Sequence, residues 1–244
     1  MRRFFVPAGV LGDGEITLPP ELARRLARVL RLKRGDRLVL ADGGGRDYEV
    51  EIVALPPAPA MAIVVGERPS PPEPALKLVL CQSLIRPQRF ELVLEKGTEV
   101  GVSRFVPLLS GRGQVKTAAG SQRAERWGRI VTEAAEQSGR GRVPAIDPPA
   151  LLRDAIGSVP GLRLLPWEGE RSQGLRSFLR GLAERPATVS LFIGPEGGFA
   201  EDEVESARAA GCVTVSLGPR ILRSETAGIV AAAVVMHELG EMGG

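Results

Sequence analysis

The chain has few of the side chains that usually carry redox, metal or acid–base chemistry. Its 244 residues include two cysteines, one histidine and one tyrosine. Cys81 lies in an apolar stretch and Cys212 precedes another, so we expect two buried thiols, not a disulfide or a metal site. His237 has no histidine or cysteine cluster around it, which argues against zinc or any other metal. His237 is expected near the end of a helix, where it would interact favourably with the helix dipole and is less suited to act as a general base.

Long hydrophobic runs are also missing. No segment approaches the roughly 20 apolar residues that cross a bilayer, and Met1–Pro7 lacks the apolar core of a signal peptide. The composition is otherwise that of a globular protein, with 43% hydrophobic residues and a mean hydropathy of +0.03. We therefore expect a cytoplasmic protein that does not contact a membrane.

Two nucleotide-binding motifs do not occur in the sequence. There is no G-x-G-x-x-G after a strand and no G-x-x-x-x-G-K-[ST], which disfavours a nicotinamide dehydrogenase. The net charge is only +3, but 28 of the 32 basic residues are arginine. Arginine forks onto phosphates and stacks on bases. The same bias also arises from genome composition or adaptation to heat, so it supports nucleic-acid binding only weakly.

The stretch from residue 188 to residue 237 organises the rest of the chain. Its pattern predicts a strand, a glycine turn, a helix, a second strand, a second glycine turn and a buried helix. In order, these elements are Thr188–Ile193, 194–198, Glu201–Ala210, Val213–Leu217, 218–219 and Ala227–Met236. The last has no polar side chain, so we expect it to be buried in a core or a subunit interface.

Two glycine-rich turns that follow parallel strands are either ordinary tight turns or the sides of a cleft at the carboxyl ends of those strands, where open α/β sheets bind ligands. The presence of both turns favours the cleft. Gly197 and Gly198 together allow backbone to approach a ligand closely. Acidic residues crowd this turn and the start of the helix after it, namely Glu196, Glu201, Asp202 and Glu203. They repel a phosphate, so an adenosine that carries a cationic centre, such as S-adenosylmethionine, suits the cleft better than a pyrophosphate cofactor.

The two turns carry a family resemblance. The segments Ile193-Gly-Pro-Glu-Gly-Gly-Phe199 and Leu217-Gly-Pro-Arg-Ile-Leu-Arg-Ser-Glu-Thr-Ala227 resemble the signature pair of the RsmE family of ribosomal RNA uridine methyltransferases. The resemblance implies an α/β fold, with a SPOUT-type trefoil-knotted parallel-sheet methyltransferase domain and a small N-terminal PUA-like β-barrel domain. It also implies a homodimer that uses S-adenosylmethionine to methylate a uridine of small-subunit (16S) ribosomal RNA at the imide nitrogen N3.

The expected site residues follow from the two turns and from the strand that precedes them. Cofactor contacts are expected mainly from backbone, at Leu165, Glu168, Ile193, Gly194, Pro195, Glu196, Gly197, Gly198, Leu217, Gly218, Ile221, Leu222 and Arg223. Arg112, Arg140 and Arg223 are the candidates for electrostatic catalysis. Glu99 and Glu225 are the alternatives that would accept the imide proton directly.

Residues 1–70 are expected to form the PUA-like domain. Its predicted strands are Phe4–Val6, Glu15–Leu18, Arg37–Ala41, Tyr48–Val53 and Met61–Val65, and its predicted helix is Glu21–Leu32. Leu22, Leu26, Val29 and Leu30 would share the buried face of this helix. The candidate RNA-binding residues are Arg2, Arg24, Arg28, Arg31, Lys33 and Arg34. Two interpretations of the arginine face stay open, a solvated helix surface and a surface that follows RNA phosphates.

The segment 29–36 resembles the Val-Leu-Arg core of the family's amino-terminal domain, with Arg25 where many members have histidine. Four prolines between Glu67 and Pro74 predict an extended linker, so the methyltransferase domain is expected to span residues 71–244. In this domain strands and helices alternate, which predicts a mostly parallel sheet covered on both faces. A helix is expected over 147–157.

Three further segments resemble family motifs. The helix Arg123–Ser138 would bury a stripe at Trp127, Ile130, Val131, Ala134 and Ala135 and end at Gly139. The string from Glu136 to Arg140 is either a capped surface corner or a family motif near the substrate. Lys96–Val102 resembles the family's Thr-Glu-Leu-Gly-Val segment. Ser110-Gly-Arg112 lies where many members have Glu-Arg, so Gly111 stands in place of the acid.

One alternative function competes with methyl transfer. The chain would then be an RNA-binding module without chemistry, in which the cleft is vestigial. The discriminating observation is whether S-adenosylmethionine binds in the absence of RNA.

Overall fold

A computed structural model describes residues 1–12, 14–113 and 120–243. The chain forms two compact units. The first contains Met1–Glu73 together with Ala135–Val143, and the second contains Pro74–Ala134 together with Pro144–Gly244. The sequence does not indicate that Ala135–Val143, which includes the last turn of a long helix, belongs with the amino-terminal residues.

The first unit is built on a five-stranded sheet with the order β1-β3-β4-β5-β2. The strands are β1 Arg3–Phe5, β2 Glu15–Thr17, β3 Arg37–Ala41, β4 Arg46–Ala54 and β5 Met61–Pro69. The turn between β3 and β4 is fixed by Asp42, whose carboxylate accepts the Gly44 N–H at 2.6 Å. All five predicted strands are present. However, β5 pairs with β4 as far as Pro69, so the first part of the predicted linker is strand.

The predicted helix Glu21–Leu32 is shorter and less regular than expected. An α-helix, α1 Pro20–Arg24, passes into a π-helical turn over Arg25–Val29. The wider turn rotates the residues that follow. Val29, which was expected to be buried, is therefore 72% exposed, whereas Leu26 is fully buried. Arg31 lies beyond the helix with a positive φ of 53°.

The segment Ala135–Val143 is held in the first unit by ion pairs and hydrogen bonds. The Glu136 carboxylate accepts the Phe5 N–H at 3.1 Å and a guanidinium N–H of Arg25 at 2.8 Å. Arg140 donates to Glu73 at 2.5 Å and 3.1 Å. These contacts give the Glu136–Arg140 string a structural role in this unit.

The second unit is an α/β sheet with the order β12-β10-β11-β6-β7-β8, and β9 pairs with β7. Its strands are β6 Lys77–Ser83, β7 Arg104–Leu109, β8 Ala145–Ile146, β9 Ala150–Leu151, β10 Leu162–Pro166, β11 Thr188–Ile193 and β12 Val213–Val215. Its helices are α2 Pro87–Val100, α3 Ser121–Ser138 as far as Ala134, α4 Leu152–Ser158, α5 Leu175–Arg180, α6 Glu201–Ala209 and α7 Ser224–Glu238. Every strand pair is parallel, as predicted.

Helices cover both faces of this sheet. Apolar side chains point to both faces of its parallel strands, so both faces must be buried. On one face, Cys81 and Phe192 pack in a core with Ala155 of α4 and Val204 of α6. On the other, α7 packs against α2, α5, β6 and β11. Among the described residues, no helix has both the length and the apolar character needed to cross a membrane.

Three boundaries in the second unit differ from the predictions. The helix expected over 147–157 begins only at Leu152, because Ala150 and Leu151 pair with β7. β12 ends at Val215, where the chain turns toward Gly218. α7 begins at Ser224, three residues before the apolar run, and includes Glu225 in its first turn. The predicted stripe of α3 is buried at Trp127, Val131, Ala134 and Ala135.

Candidate functional site

The candidate site lies at the carboxyl edge of β10, β11 and β12, which are neighbours in the sheet. Because the three strands are parallel, they end on the same edge, at Pro166, Ile193 and Val215. The segments after them contain the expected cofactor residues, so the fold brings Glu168, the 194–198 turn and the 217–223 segment to one edge. The central position of β10 between β11 and β12 was not apparent from the sequence.

The first turn, residues 194–198, is too crowded for added side chains at two of its glycines. Gly198 has a φ of +67°, a conformation that favours glycine, and a Cβ there would collide with the Glu168 carboxylate. A Cβ on Gly194 would lie 3.1 Å from the Phe199 nitrogen. The Gly198 N–H donates to the Pro195 carbonyl at 3.0 Å, which closes the turn. Glu168 and Gly198, both predicted cofactor residues, therefore lie side by side at this turn.

The helix that follows this turn is capped by an acidic side chain. Glu203 accepts the Ala200 N–H at 2.9 Å and, through its other carboxylate oxygen, the Gly111 N–H at 3.2 Å. A carboxylate thus occupies the start of α6, where a phosphate would otherwise be attracted. This is the physical basis for disfavouring a pyrophosphate at this turn.

The second turn is more open. Gly218 has a φ of +107°, with no atom within 4 Å of a Cβ built on it. Its N–H donates to the Ser216 hydroxyl at 3.2 Å. Ile221 is 93% exposed and Leu222 is half-buried. The turn therefore presents backbone and apolar side chains at its surface.

A buried chain of hydrogen bonds joins the two turns to β6, and sequence reasoning missed it. The Gln82 amide donates to the Ser224 hydroxyl at 2.8 Å, and this hydroxyl donates to the Gly194 carbonyl at 2.5 Å. Gln82 is 1% exposed and Ser224 is 6% exposed. The only signal in the sequence is a glutamine that follows the apolar residues Leu78 to Cys81 of β6.

Two carboxylates and one arginine lie beside this chain of hydrogen bonds. Arg89 of α2 lies 3.5 Å from Glu225 and 3.8 Å from Glu196. Glu225 is 7% exposed, and its Oε2 has no hydrogen-bond partner among the described residues. The other proton-acceptor candidate, Glu99, pairs with Lys96 in the last turns of α2, which lead into the amino end of β7. The fold therefore brings Glu225, and not Glu99, to the glycine turns.

The three candidate arginines lie in different surroundings. Arg112 donates to the Gly197 carbonyl at 3.4 Å and so lies at the first turn. Arg223 is exposed immediately before α7. Arg140 belongs to the first unit, where its side chain is 9% exposed and paired with Glu73. Its catalytic role stays a prediction, whereas its structural role is evident.

A further carboxylate, Glu170, braces the segment that follows β10. It accepts hydrogen bonds from the Ser172 hydroxyl, the Ser172 N–H, the Thr214 hydroxyl and the Gln173 N–H. These hydrogen bonds, that of the Ser172 hydroxyl above all, lower the pKa of Glu170 to about 2. The Gln173 carbonyl in turn accepts the Ser216 N–H at 2.8 Å. Glu170 therefore fixes the loop between β10 and α5 against the end of β12.

The cysteines and the histidine have no place in this site. Cys81 and Cys212 are free and buried, as predicted. Burial raises the pKa of the Cys212 thiol to about 11 and that of Cys81 further. His237 is exposed in the last turn of α7, and its Nδ1 lies 3.2 Å from the Met242 carbonyl oxygen. In the part of the chain that the structure describes, no group of three or more His, Cys, Asp or Glu could hold a metal ion.

The candidate RNA-binding residues of the first unit are all exposed, namely Arg2, Arg24, Arg28, Arg31, Lys33 and Arg34. None of their side chains forms an ion pair with a carboxylate in the described residues. Arg25 differs, because it pairs with Glu136 and lies over the Phe4 ring. The exposed charges are therefore available to an anionic partner, while Arg25 is committed to packing within the unit.

Two cavities lie in the second unit outside the glycine turns. One, of about 680 Å³, lies between α4 and α6 and is lined in part by Ile156 and Glu203. The other, of about 420 Å³, lies between the first turns of α2 and α3 at the end of β6.

Comparison with known proteins agrees with this geometry. A family described as "RNA methyltransferase domain" matches residues 71–236, and one described as "RNA methyltransferase PUA domain" matches residues 23–57. The chain is 36% identical to the "Ribosomal RNA small subunit methyltransferase E" of Synechocystis sp., over 91% of this chain and 73% of that protein. It is 29% identical to the protein of the same name from Bacillus subtilis, over 89% and 88% of the two chains.

Solved structures give the same result. The "Ribosomal RNA small subunit methyltransferase E" from Neisseria gonorrhoeae, crystallised with S-adenosyl methionine, is similar with a TM-score of 0.87 at 32% identity, over 97% of each chain. A Legionella pneumophila methyltransferase in complex with the bound cofactor SAM has a TM-score of 0.88 at 29% identity, over 96% of each chain. The chain belongs to the RsmE family of ribosomal RNA small subunit methyltransferases.

Proposed function

We propose that the protein transfers a methyl group from S-adenosylmethionine to the imide nitrogen N3 of a uridine in 16S ribosomal RNA. The observation that carries the proposal is the convergence of three strand ends on two glycine turns, one of which is closed by the hydrogen bond from the Gly198 N–H to the Pro195 carbonyl. Family membership sets the reaction class, and the relatives' names motivate the ribosomal RNA substrate.

The residues at this edge fit the cofactor. Gly198 and Gly218 both have positive φ, a conformation that favours glycine. At these two positions no side chain separates the backbone from a ligand. Glu168 and Glu196 supply negative charge beside the turns, which suits a cationic sulfonium and not a phosphate. Exposed Ile221 and half-buried Leu222 supply apolar surface for an adenosine. When bound, the cofactor supplies an electrophilic methyl group.

The chain's own residues would prepare the uridine for this transfer. The imide N–H of uridine must lose its proton as the new nitrogen–carbon bond forms. Glu225 would accept that proton, because its Oε2 has no hydrogen-bond partner within the described part of the chain and the residue lies in the first turn of α7 beside the site. Arg112 and Arg223 would stabilise negative charge that develops on the base. Gln82 and Ser224 would fix the turn against which the uridine is positioned.

The first unit would bind the RNA. Arg24, Arg28 and Arg31 are exposed and without carboxylate partners among the described residues, so each can neutralise a phosphate. The match of residues 23–57 to an RNA methyltransferase PUA domain supports this role. Location in the cytoplasm, where ribosomal RNA is found, follows from the proposed substrate.

We also propose the homodimer and the knot that the resemblance implies. Val230 of α7 is 38% exposed and Ile221 is 93% exposed, which leaves apolar surface next to the second turn. A second copy of the chain would cover it as a two-fold pair. Val235, in contrast, is fully buried within the second unit. Sedimentation as a monomer at micromolar concentration, with normal cofactor binding, would refute the dimer.

The direct test of the cofactor site is a calorimetric titration of the purified protein with S-adenosylmethionine in the absence of RNA. Saturable binding at one site per chain is expected. No binding would support the alternative of an RNA-binding module without chemistry.

A further inference from the structure

The segment 28–34 of the first unit contains two unusual backbone features. The preceding helix α1 widens into a π-helical turn over Arg25–Val29, where the Leu30 N–H donates to the Arg25 carbonyl at 3.0 Å. Such turns are rare in proteins and are frequent at functional sites. The second feature is Arg31, whose φ is +53°. Among the residues that the structure describes, every other positive φ belongs to a glycine.

Arg31 occupies a helix-end position that favours glycine. The Leu32 N–H donates to the Leu26 carbonyl at 3.0 Å, a hydrogen bond typical of helices that end on a left-handed residue. Glycine adopts this conformation without steric cost, whereas arginine does not. The Arg31 side chain is exposed and forms no ion pair with a described carboxylate, so nothing within the unit offsets this cost. A strained residue of this kind points to a function of its side chain.

Val29 is exposed on a segment that is itself firmly anchored. Its side chain is 72% exposed, whereas Leu30 and Leu32 are half-buried and pack against the core of the first unit. The next turn is closed by Asp36, whose carboxylate accepts the Lys33 N–H at 2.7 Å. The isopropyl group of Val29 is therefore held in water in a fixed position. A partner that covers it gains the free energy of apolar burial and has little ordering cost to offset.

The charges around Val29 identify the kind of partner. No acidic residue occurs between Glu21 and Asp36 in the sequence. The exposed cations on either side of Val29, which form no ion pair with a described carboxylate, are Arg28, Arg31, Lys33 and Arg34. A partner must therefore be anionic and must also present an apolar surface to Val29. RNA has both properties, because its phosphates are anionic and the faces of its unpaired bases are apolar.

From these observations we infer that the segment 28–34 binds an unpaired nucleotide of the RNA. Val29 packs against the face of its base, and Arg28 and Arg31 bind the phosphates on either side. In a duplex the faces of the bases are stacked on their neighbours, so this contact selects RNA that is unpaired at this point. The inference adds a base contact to the phosphate contacts proposed above, and it rests on the proposed function because it takes RNA to be the partner.

The test of the base contact compares two exposed valines of the first unit. Val29→Ser removes the apolar contact, whereas Val65→Ser makes the same change on β5, where Val65 is 41% exposed. Fluorescence anisotropy measures the affinity for single-stranded RNA, for the corresponding duplex and for inorganic polyphosphate as a competitor. Val29→Ser should weaken binding of single-stranded RNA about fivefold and change the other two affinities less than about twofold. Equal effects of Val29→Ser and Val65→Ser, or equal losses with all three probes, would overturn the inference.

A second measurement separates the strain at Arg31 from its function. Arg31→Gly should raise the midpoint of urea unfolding, because glycine relieves the strained conformation. The same change should weaken binding of single-stranded RNA about fourfold at physiological salt and flatten the salt slope by about 0.7. The matched variant Arg31→Lys keeps the positive charge and should retain most of the affinity. Unchanged RNA affinity in Arg31→Gly would contradict the role of this side chain.

Methyl transfer to small-subunit ribosomal RNA is assayed with the same wild-type preparation. Transfer by the wild type, without any difference between Val29→Ser and Val65→Ser in RNA affinity, would refute only the nucleotide contact. No transfer by the wild type, with the difference between the two valine variants intact, would refute only the proposed function. Failure of the wild type to bind any RNA would refute both.

Discussion

The Ser224 hydroxyl donates a 2.5 Å hydrogen bond to the Gly194 carbonyl and accepts one of 2.8 Å from Gln82. Through this one side chain the start of α7 is joined to the first glycine turn and to the end of β6. These two hydrogen bonds join elements that are far apart in sequence. They therefore fix the relative positions of the two turns that would hold the cofactor.

Ser224→Ala should therefore impair the site more than the fold. The change leaves the Gly194 carbonyl and the Gln82 amide without this partner, which should lower the free energy of unfolding by about 1–3 kcal/mol. Calorimetry should also show weaker S-adenosylmethionine binding. The matched control is Ser190→Ala, which removes a buried hydrogen bond of 2.8 Å to the Pro160 carbonyl, away from the turns. Equal cofactor affinity in both variants would argue against a positioning role for Ser224.

Gly198→Ala tests the first turn. Its positive φ and the nearby Glu168 carboxylate both oppose a side chain, so we expect a loss of roughly 1–2 kcal/mol in stability together with weaker cofactor binding. Gly211 also has a positive φ, of 86°, but lies in open space after α6. Gly211→Ala should cost similar stability and leave cofactor binding unchanged. Calorimetric titration of the folded variants with S-adenosylmethionine measures their cofactor affinity. Unchanged affinity in Gly198→Ala would exclude this turn from the site.

The arginine surface of the first unit can be tested through salt dependence. If Arg24, Arg28 and Arg31 each neutralise one phosphate, replacement of all three by alanine should flatten the slope of log affinity against log salt by about two. The control is a variant that loses Arg37 and Arg46, which pair with carboxylates on the sheet of the same unit. A triple variant with the wild-type slope would identify the helix surface as merely solvated.

Glu170 predicts a specific dependence of stability on pH. Its pKa is lowered from 4.5 to about 2 by hydrogen bonds that exist only in the folded state. The ionised carboxylate thus stabilises the fold above pH 4.5, and this contribution is lost as the pH falls toward 2. In urea unfolding, Glu170→Gln should be less stable than the wild type at pH 7, and the difference should shrink below pH 4.5. Glu184→Gln, at an exposed position, is the control for loss of a surface carboxylate.

The sequence predicted those parts of the fold in which local pattern dominates. The apolar run of β11, the glycines after it and the acidic start of α6 are recognisable in a single stretch. The predictions that were wrong concern features that the local pattern does not determine. Val29 is exposed because a π-helical turn interrupts the helical period, and α4 starts late because Ala150 pairs with β7.

In the candidate site, too, the residues with a local sequence pattern were predicted and the others were not. The glycine turns were predicted because their backbone conformation requires particular residues in sequence. Gln82 and Arg89 were missed, because a single polar residue in a strand and a single arginine in a helix carry no local signal. Only the order of the strands brings them to Ser224, Glu225 and Glu196.

Methyl transfer to the RNA of small ribosomal subunits is the measurement that tests the central claim most directly. The purified protein is incubated with isotopically labelled S-adenosylmethionine and small-subunit particles from a strain that lacks its gene, and the digested 16S RNA is mapped by mass spectrometry. We expect one labelled uridine, methylated at N3, and loss of the label with Glu225→Gln. Label in another nucleoside, or no label although the cofactor binds, would contradict the proposed function.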